Sequence, residues 1–366
     1  MVSSERRFLP REGLYIDPII TGLRNTILHP IFSIPVWCVA QKARIASPLY
    51  TQFAQYLAMA SVFLWLNTYL SKQSRNNWTI DDTWNDDWRK EIVVVTGGSG
   101  GLGAGVAQRL AALGARVVVV DIIPLTYVPE NDRITYYQCD LSDEKEIASL
   151  CEKIRSEVGD PSVLVNNAGL SRGQTVAEGT YHDTSITLKT NLLAPFLLSK
   201  EFLPGMIHRQ HGHIVNVSSM SAYIPPAGLA DYAASKAGLI AFHECLTQEL
   251  RFRHNAPKIR TSLLVLSFTR TPMFKGETNQ SHFFMPLLHA DTVVDAIVDT
   301  LVSGLSRTIY LPGIFRLFAG LRGAPAWFQS LILDRSQSLA VDFKGRQKID
   351  PVAGKLVQGD DIISGE

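Results

Sequence analysis

Short runs of β-branched and other apolar residues alternate with longer amphipathic segments along the chain from Glu91 onward. Such alternation is typical of a parallel sheet whose strands are joined by helices. The candidate strands are Ile92–Thr96, Arg116–Val120, Ile134–Gln138, Val163–Val165, His213–Ser218, Arg260–Val265 and Thr308–Leu311. The pattern therefore predicts an α/β fold in which a single doubly wound domain is built on a seven-stranded parallel sheet.

Two uncharged stretches precede this domain, from Asn25 to Gln41 and from Ile45 to Ser71. Basic residues mark their edges: Arg24, Lys42, Arg44, Lys72 and Arg75. A membrane-spanning helix needs about 20 apolar residues. The second stretch reaches that length only by including Gln52, Gln55 and Asn67. It therefore predicts a hydrophobic membrane segment, which either spans marginally or lies in the interface.

The first uncharged stretch contains Pro30 and Pro35, which argue against one straight helix. A re-entrant or interfacial element is an equally good interpretation. The alternative for both stretches is an apolar hairpin packed on the globular domain. An acidic linker, Asp81–Trp88, follows them. We expect a membrane-associated region with its linker at residues 1–90, the doubly wound domain at 91–312, and an apolar extension with a polar tail at 313–366.

Composition and charge exclude several classes of protein. The 35 basic and 34 acidic residues nearly cancel, so no global field attracts nucleic acid. The four cysteines have no C-x-x-C spacing, which favours reduced thiols in a cytosol-facing domain over disulfides or a zinc site. His208, His211 and His213 have no cysteine or carboxylate among them, so we expect a solvated turn there and no metal.

A glycine-rich loop joins the first predicted strand to an amphipathic helix. The loop is Thr96-Gly-Gly-Ser-Gly-Gly-Leu-Gly103. Glycines at a strand-to-helix turn let a phosphate approach the helix N-terminus, where unpaired N–H groups and the helix dipole favour an anion. The context indicates a Rossmann-type dinucleotide site. Its expected contacts in the loop are Gly97, Ser99, Gly101, Leu102 and Gly103.

Asp121 stands directly after the second predicted strand. A carboxylate in this place can accept hydrogen bonds from both hydroxyls of the adenosine ribose, and it repels a 2′-phosphate. No Arg or Lys is placed beside it in the sequence to neutralise such a phosphate. We therefore expect NAD as the cofactor, in preference to NADP. The alternative is an aspartate that only caps a turn.

At this point the chain resembles the short-chain dehydrogenase/reductase family, whose loop pattern T-G-x-x-x-G-x-G is matched by Thr96, Gly97, Gly101 and Gly103. The remaining family motifs follow in order, and the resemblance covers roughly Glu91 to Leu311. They are Asp140 near the adenine, the cleft-closing stretch Asn166–Gly169, the tetrad residues Asn191 and Ser219, and the Y-x-x-x-K motif Tyr232–Lys236.

The resemblance implies an oxidoreductase that transfers a hydride to or from a nicotinamide cofactor. The catalytic residues that it implies are Asn191, Ser219, Tyr232 and Lys236. The cofactor contacts that it adds to the loop and Asp121 are Asp140, Leu141, Asn167, Ala168, Gly169, Tyr232, Lys236, Thr269 and Thr271. Leu266-Ser267 stands where the family has Pro-Gly, so we expect the loop that meets the nicotinamide carboxamide to differ in shape.

The spacing of Tyr232 and Lys236 also makes chemical sense by itself. Four residues apart on a helix, the two side chains share one face. A free phenol has a pKa of about 10, and a nearby ammonium together with an oxidised nicotinamide favours the phenolate that a base requires. Ser219 can orient the reacting oxygen, and Asn191, by resemblance, holds a helix distortion and a water. Ser218 is the rival to Ser219, because neighbouring strand residues point to opposite faces.

The apolar N-terminal region, Asp121 and the apolar tail look most like the membrane and lipid-droplet branch of the family, which includes retinol and 17β-hydroxysteroid dehydrogenases. The expected substrate is a lipophilic alcohol or ketone of the retinoid, sterol or fatty-alcohol class. It would be drawn from the endoplasmic reticulum membrane or a lipid-droplet surface. The alternatives are a secondary-metabolite carbonyl reductase and a catalytically silent lipid-binding or scaffold protein. A homodimer is compatible with the sequence.

The segments after the sixth strand are expected to form an aromatic wall for such a substrate. They supply Phe268, Phe274, Phe283, Phe284, Met285, Phe315, Phe318, Trp327 and Phe328. A wall with few charges suits a long apolar molecule. The alternative is that these side chains pack the core or lie on a membrane surface.

Overall fold

The computed structural model describes residues 10–42, 47–79, 81, 84, 87–271 and 281–336. It also describes the backbone of two short antiparallel strands, Lys348–Ile349 and Leu356–Val357. Phe274, expected in the aromatic wall, and Arg44, expected at the edge of an uncharged stretch, lie outside the described residues.

A seven-stranded parallel sheet forms the centre of the molecule, in the order β3-β2-β1-β4-β5-β6-β7. This confirms the predicted doubly wound α/β domain. Four strands extend one residue further than the sequence predicts. The strands are β1 Ile92–Thr96, β2 Arg116–Asp121, β3 Ile134–Gln138, β4 Val163–Asn166, β5 His213–Ser219, β6 Arg260–Leu266 and β7 Thr308–Leu311.

Helices cover both faces of the sheet and also form an N-terminal region. In chain order they are α1 Ile16–Asn25, α2 Pro30–Lys42, α3 Pro48–Arg75, α4 Gly101–Ala112, α5 Glu144–Glu157, α6 Tyr181–Leu188, α7 Ala194–Arg209, α8 Ala230–Phe252, α9 Ala290–Val302 and α10 Ala326–Ser336. The central strand β1 is buried throughout, and its side chains alternate between the faces. Val94 packs in the core with α5, α7 and α8, while Val93 and Val95 pack in the core with α4 and α9.

The first uncharged stretch forms one helix, α2, with Pro35 inside it, so the expectation that prolines would prevent a single helix is wrong. Pro30 is the first residue of α2, where the missing N–H has no helical partner to lose. Packing against α3 supports the rest. The hydroxyls of Ser33 and Ser61 meet at 2.5 Å in the buried seam between the two helices.

Among the described residues, none of the helices is long and apolar enough to cross a membrane. The 28-residue α3 has the length, but its polar residues lower its hydropathy. A spanning N-terminal segment is therefore not supported. The structure instead forms a helical hairpin from α2 and α3.

The acidic linker covers the amino-terminal edge of the sheet. Asp81 pairs with the buried Arg260 at the start of β6, with 3.6 Å between Oδ2 and Nη2. The Trp84 ring lies 4.3 Å from the His211 ring and 5.7 Å from the His213 ring. The prediction of a solvated histidine turn is therefore wrong for His213, which is fully buried in β5 beneath the linker.

Candidate active site

A cavity of about 850 Å³ lies at the carboxyl ends of the strands, where doubly wound folds bind their ligands. Its volume falls within the usual range for small-molecule sites. Most of the site residues expected from the sequence line it: Gly97, Gly101, Leu102, Asp121, Asp140, Leu141, Asn167, Ala168, Gly169, Ser219, Tyr232, Lys236, Thr269 and Thr271. Ser99, Gly103 and Asn191 are buried behind this lining.

Two loop glycines are required by close backbone approaches. Gly97 has φ +64°, and a Cβ there would lie 2.9 Å from the Cα of Ala168. A Cβ on Gly103 would overlap the carbonyl oxygen of Gly97. The loop therefore lies directly against the residues after β4, and the N-terminus of α4 faces the cavity. This cradle fits the pyrophosphate of a dinucleotide.

Thr96 links the glycine loop to the Asn166–Gly169 stretch. Its hydroxyl accepts hydrogen bonds from the backbone nitrogens of Asn167 and Ala168, each at 3.0 Å. The Asn167 amide donates in return to the carbonyl oxygen of Thr96, also at 3.0 Å. The family motif contains Thr96, but our expected cofactor contacts did not include it; in the structure its side chain bonds to the protein backbone.

Asp121 lies at the end of β2 on the cavity wall. Its Oδ2 accepts from the backbone nitrogen of Ser99 at 3.0 Å, and its Oδ1 accepts from that of Ile123 at 3.3 Å. Burial raises the pKa of the Asp121 carboxyl, and these backbone hydrogen bonds oppose the rise. The carboxylate therefore caps a turn, and each oxygen keeps capacity to accept a further hydrogen bond.

The Ser219 hydroxyl lies beside the Tyr232 phenol and lowers its pKa. The rival hydroxyl of Ser218 donates to the carbonyl oxygen of Lys236 at 3.0 Å instead. Burial has the larger effect on Tyr232 and raises its pKa. The protein alone therefore favours the neutral phenol, in contrast to the phenolate that the sequence argument emphasised.

Lys236 is buried one helical turn beyond Tyr232 on α8. Its Nζ donates to the carbonyl oxygen of Val217 at 3.0 Å and lies 5.7 Å from the centre of the Tyr232 ring. Burial lowers the pKa of the Lys236 ammonium to about 8. The lysine is thus fixed beside the phenol.

Asn191 lies in a π-helical turn, Lys189–Leu193, between α6 and α7. Its Oδ1 accepts from the backbone nitrogen of Leu170, and its Nδ2 donates to the carbonyl oxygen of the same residue, both at 2.8 Å. Nδ2 also lies 3.2 Å from the Ser235 hydroxyl. Asn191 therefore ties the loop after β4 to the helix that carries Tyr232 and Lys236.

The loop after β6 continues along the cavity in spite of its Leu266-Ser267 sequence. The backbone nitrogen of Ser267 donates to the carbonyl oxygen of Leu311 at 2.8 Å. Thr269 forms a parallel bridge with Leu288. Both Thr269 and Thr271 line the cavity.

The expected aromatic wall is only partly correct. Phe268, Met285 and Phe315 line the cavity, and Phe318 packs against Phe315. The other described members are exposed and lie away from the lining: Phe283, Phe284, Trp327 and Phe328.

Four apolar residues that the sequence argument missed complete the substrate side of the cavity: Ile186, Ile224, Pro226 and Leu229. Three of them lie between Ser219 and Tyr232 in the sequence. Because Ser219 and Tyr232 were both predicted site residues, the apolar residues between them could have been predicted to line the site.

Taken with the comparisons that follow, the fold and the cavity are those of an oxidoreductase that acts on CH–OH groups with a nicotinamide cofactor. The family model described as short chain dehydrogenase matches residues 91–282, and the chain belongs to that family.

Three similar proteins carry informative names. Dehydrogenase RED2 of Cochliobolus heterostrophus is 41% identical over 200 residues, covering 54% of this chain and 75% of that protein. Epidermal retinol dehydrogenase 2 of Mus musculus is 32% identical over 229 residues, covering 60% and 73%. The crystal structure of a metagenomic short-chain oxidoreductase, in complex with NADP, has a TM-score of 0.51 and 28% identity, covering 62% of this chain and 98% of that one.

Proposed function

We propose that this enzyme transfers a hydride between NAD(H) and a lipophilic alcohol or ketone of the retinoid, sterol or fatty-alcohol class. The observation that carries the proposal is one cavity with two chemically different parts. Ser219, Tyr232 and Lys236 supply its polar end. Apolar side chains, including Leu229 and Phe315, supply the wall beyond them. Burying apolar substrate surface against such a wall is favourable by about 25 cal/mol per Å².

In this proposal the bound nicotinamide supplies or accepts the hydride. Ser219 and Tyr232 hold the substrate oxygen between their hydroxyls, and Tyr232 gives or takes its proton as general acid or base. The Lys236 charge favours the phenolate and so offsets the effect of burial. Asn191 fixes the π-helical turn against α8 and so keeps the loop after β4 in register with Tyr232.

Three further groups would hold the dinucleotide. The α4 N-terminus and the glycine loop bind its pyrophosphate, and Lys236 reaches the nicotinamide ribose. Asp121 accepts hydrogen bonds from the adenosine ribose, which favours NAD over NADP. Among the described lining residues, Arg172 and Lys236 are the arginine and lysine, and both are engaged by the protein: Arg172 lies 3.5 Å from Asp183, and Lys236 donates to Val217. Neither contact places a cation beside Asp121 to neutralise a 2′-phosphate, which supports the preference for NAD.

The N-terminal hairpin supports attachment to a membrane surface. Its two helices meet through small buried residues: Ser33, Ala40, Ala54, Ala58 and Ser61. Large apolar side chains point outward instead, and Leu49 and Phe63 are 78% and 69% exposed. This inverts the usual arrangement of a water-soluble hairpin and matches helix packing in lipid. The hairpin would lie in the interface of the endoplasmic reticulum or of a lipid droplet, with the catalytic domain in the cytosol.

Purified enzyme in detergent or vesicles tests the substrate class when NADH absorbance is followed across primary alcohols of increasing chain length. An apolar wall predicts that kcat/KM rises with each added methylene, by up to about 0.8 kcal/mol of transition-state binding. The Tyr232→Phe variant sets the background. A flat series, or a preference for small polar alcohols, contradicts the proposal.

A further inference from the structure

The chain that leads into α1, together with the first two residues of α1, crosses the substrate side of the catalytic domain. We call residues Arg11–Asp17 the N-terminal strap. Its residues bond to the segment after β6, to α9 and to the 3₁₀ helix Gly313–Gly323 that follows β7. Those segments carry Met285 and Phe315, which line the cavity. They also carry Leu288, which pairs with the cavity residue Thr269.

The first half of the strap holds the start of α9. Arg11 pairs with Asp295, which is also paired with Arg109 of α4. The buried Glu12 accepts a hydrogen bond at 3.0 Å through Oε1 from the backbone nitrogen of His289, the N-cap of α9. The residue before His289 is Leu288, the partner of Thr269. The strap is thus connected to the loop after β6 through His289 and its neighbour Leu288, which pairs with Thr269.

The second half of the strap holds the apolar wall. The backbone nitrogen of Ile16 donates to the carbonyl oxygen of Phe283 at 3.0 Å. The Asp17 carboxylate accepts from two backbone nitrogens, that of Gly313 and, at 3.1 Å, that of Ile314. These are the first residues of the 3₁₀ helix, whose own N-cap, Pro312, makes no side-chain capping bond.

Asp17 therefore caps a helix that lies 296 positions later in the chain. A carboxylate at a helix N-terminus satisfies unpaired N–H groups and complements the helix dipole. Phe315 is the third residue of the capped helix, is buried and lines the cavity. Whatever fixes the first turn of this helix also fixes Phe315.

We propose that Asp17 is a positioning residue for the substrate site. By capping the Gly313–Gly323 helix, it fixes the position of Phe315 in the apolar wall of the cavity. The inference rests on the proposed function for its substrate class. It adds that the N-terminal region is part of the active-site framework as well as a membrane attachment, since α1 begins within the strap and leads to α2 and α3. The apolar hairpin and the substrate wall thereby form one connected unit.

Asp17→Ala tests this role, because alanine removes both acceptors without adding bulk. We expect KM for a long-chain alcohol to rise about tenfold, the order of a lost helix cap, while kcat and the Kd for NADH stay within about twofold. Asp17→Asn keeps one acceptor oxygen and should recover most of the loss. Asp160→Ala is the matched control, because this aspartate also makes a contact with a distant residue, Arg209. Asp160 precedes β4, at the amino ends of the strands and away from the cavity, so its loss should leave KM unchanged.

Amide hydrogen exchange at Gly313–Phe315 gives a readout that needs no substrate. Exchange should accelerate in Asp17→Ala and stay at the wild-type rate in Asp160→Ala. Unchanged exchange and unchanged KM in Asp17→Ala would overturn the positioning role. A flat chain-length series in the wild-type enzyme, with faster exchange in Asp17→Ala, would reject the substrate class and leave the capping role standing. If Asp17→Ala lost kcat and NADH affinity to the same extent as KM rose, general unfolding would explain the change, and the positioning role would also be overturned.

Discussion

The Lys236 ammonium lies 5.7 Å from the centre of the Tyr232 ring and donates to the carbonyl oxygen of Val217. At this separation it acts on the phenol through its charge. Burial moves the two pKa values apart, because it raises that of Tyr232 and lowers that of Lys236 to about 8. Burial thus favours the neutral form of each group, and the charge of a protonated Lys236 opposes this effect on the phenol.

Tyr232→Phe should abolish turnover, with a loss of about 10²-fold to 10⁴-fold, because proton transfer to the substrate oxygen ends. The Kd for NADH should stay nearly constant, since the hydroxyl contributes little to holding the dinucleotide. Steady-state kinetics and fluorescence titration measure the two effects. Tyr223→Phe is the control, because that hydroxyl lies near Tyr310 and outside the cavity lining. Substantial turnover in Tyr232→Phe would remove its assigned role.

Asp121→Ser should narrow the preference for NAD over NADP. The change removes a charge that repels the 2′-phosphate and also removes acceptors for the ribose hydroxyls. We expect kcat/KM to fall with NAD and to rise with NADP. Kinetic constants with both cofactors decide the matter. A wild-type enzyme that already prefers NADP would show that our interpretation of Asp121 is wrong.

The sequence predicted the sheet and the cavity-facing motifs because both depend on local patterns. A run of valines predicts a buried strand, and the end of that strand predicts the position of Asp121 at the carboxyl edge of the sheet. The glycines at 97 and 103 follow from close backbone approaches that any side chain would block. Such constraints can be recognised in a short stretch of consecutive residues.

The remaining features depend on contacts between distant segments. Trp84 covers His213 because the linker folds back on the sheet edge, and no pattern near His213 indicates it. Trp327 is exposed whereas Phe315 lines the cavity, although both belong to the same apolar tail. The cap that Asp17 provides for Gly313 is equally absent from any local motif.

Stability should fall as the pH is lowered below about 6.5. Burial, with a smaller contribution from Arg260, lowers the pKa of His213 from 6.5 to about 3, and burial lowers that of His243 to about 4. Between those values and 6.5 the unfolded chain binds more protons than the folded one. This contribution is therefore complete above pH 6.5 and is lost progressively toward pH 3.

Each of these histidines should reduce the free energy of unfolding by about 2 kcal/mol between pH 7 and pH 5. Urea unfolding in detergent at the two pH values measures the change. His213→Gln should reduce the pH dependence by the share of that residue, because glutamine does not titrate. His208→Gln, on the last turn of α7, is the control. An identical pH dependence in His213→Gln would contradict the assignment.

Membrane attachment should survive salt near 1 M, where the screening length is about 3 Å, because the attaching surface is apolar. Deleting the whole N-terminal region would also remove the strap, so point substitutions are the sharper test. Phe53→Glu combined with Phe63→Glu places two charges on the outward face of α3, where these rings are 63% and 69% exposed. Each charge should weaken interfacial binding strongly while leaving the buried seam at Ala54 and Ala58 intact.

Flotation of vesicles with wild-type and variant protein measures this attachment. Val128→Glu combined with Tyr181→Glu is the matched control, because both positions are exposed apolar sites on the catalytic domain. We expect the α3 variant to remain in the soluble fraction and the control to float with the vesicles. Unchanged flotation of the α3 variant would move the attachment to the exposed aromatics of α10, Trp327 and Phe328, and the hairpin would lose its proposed role.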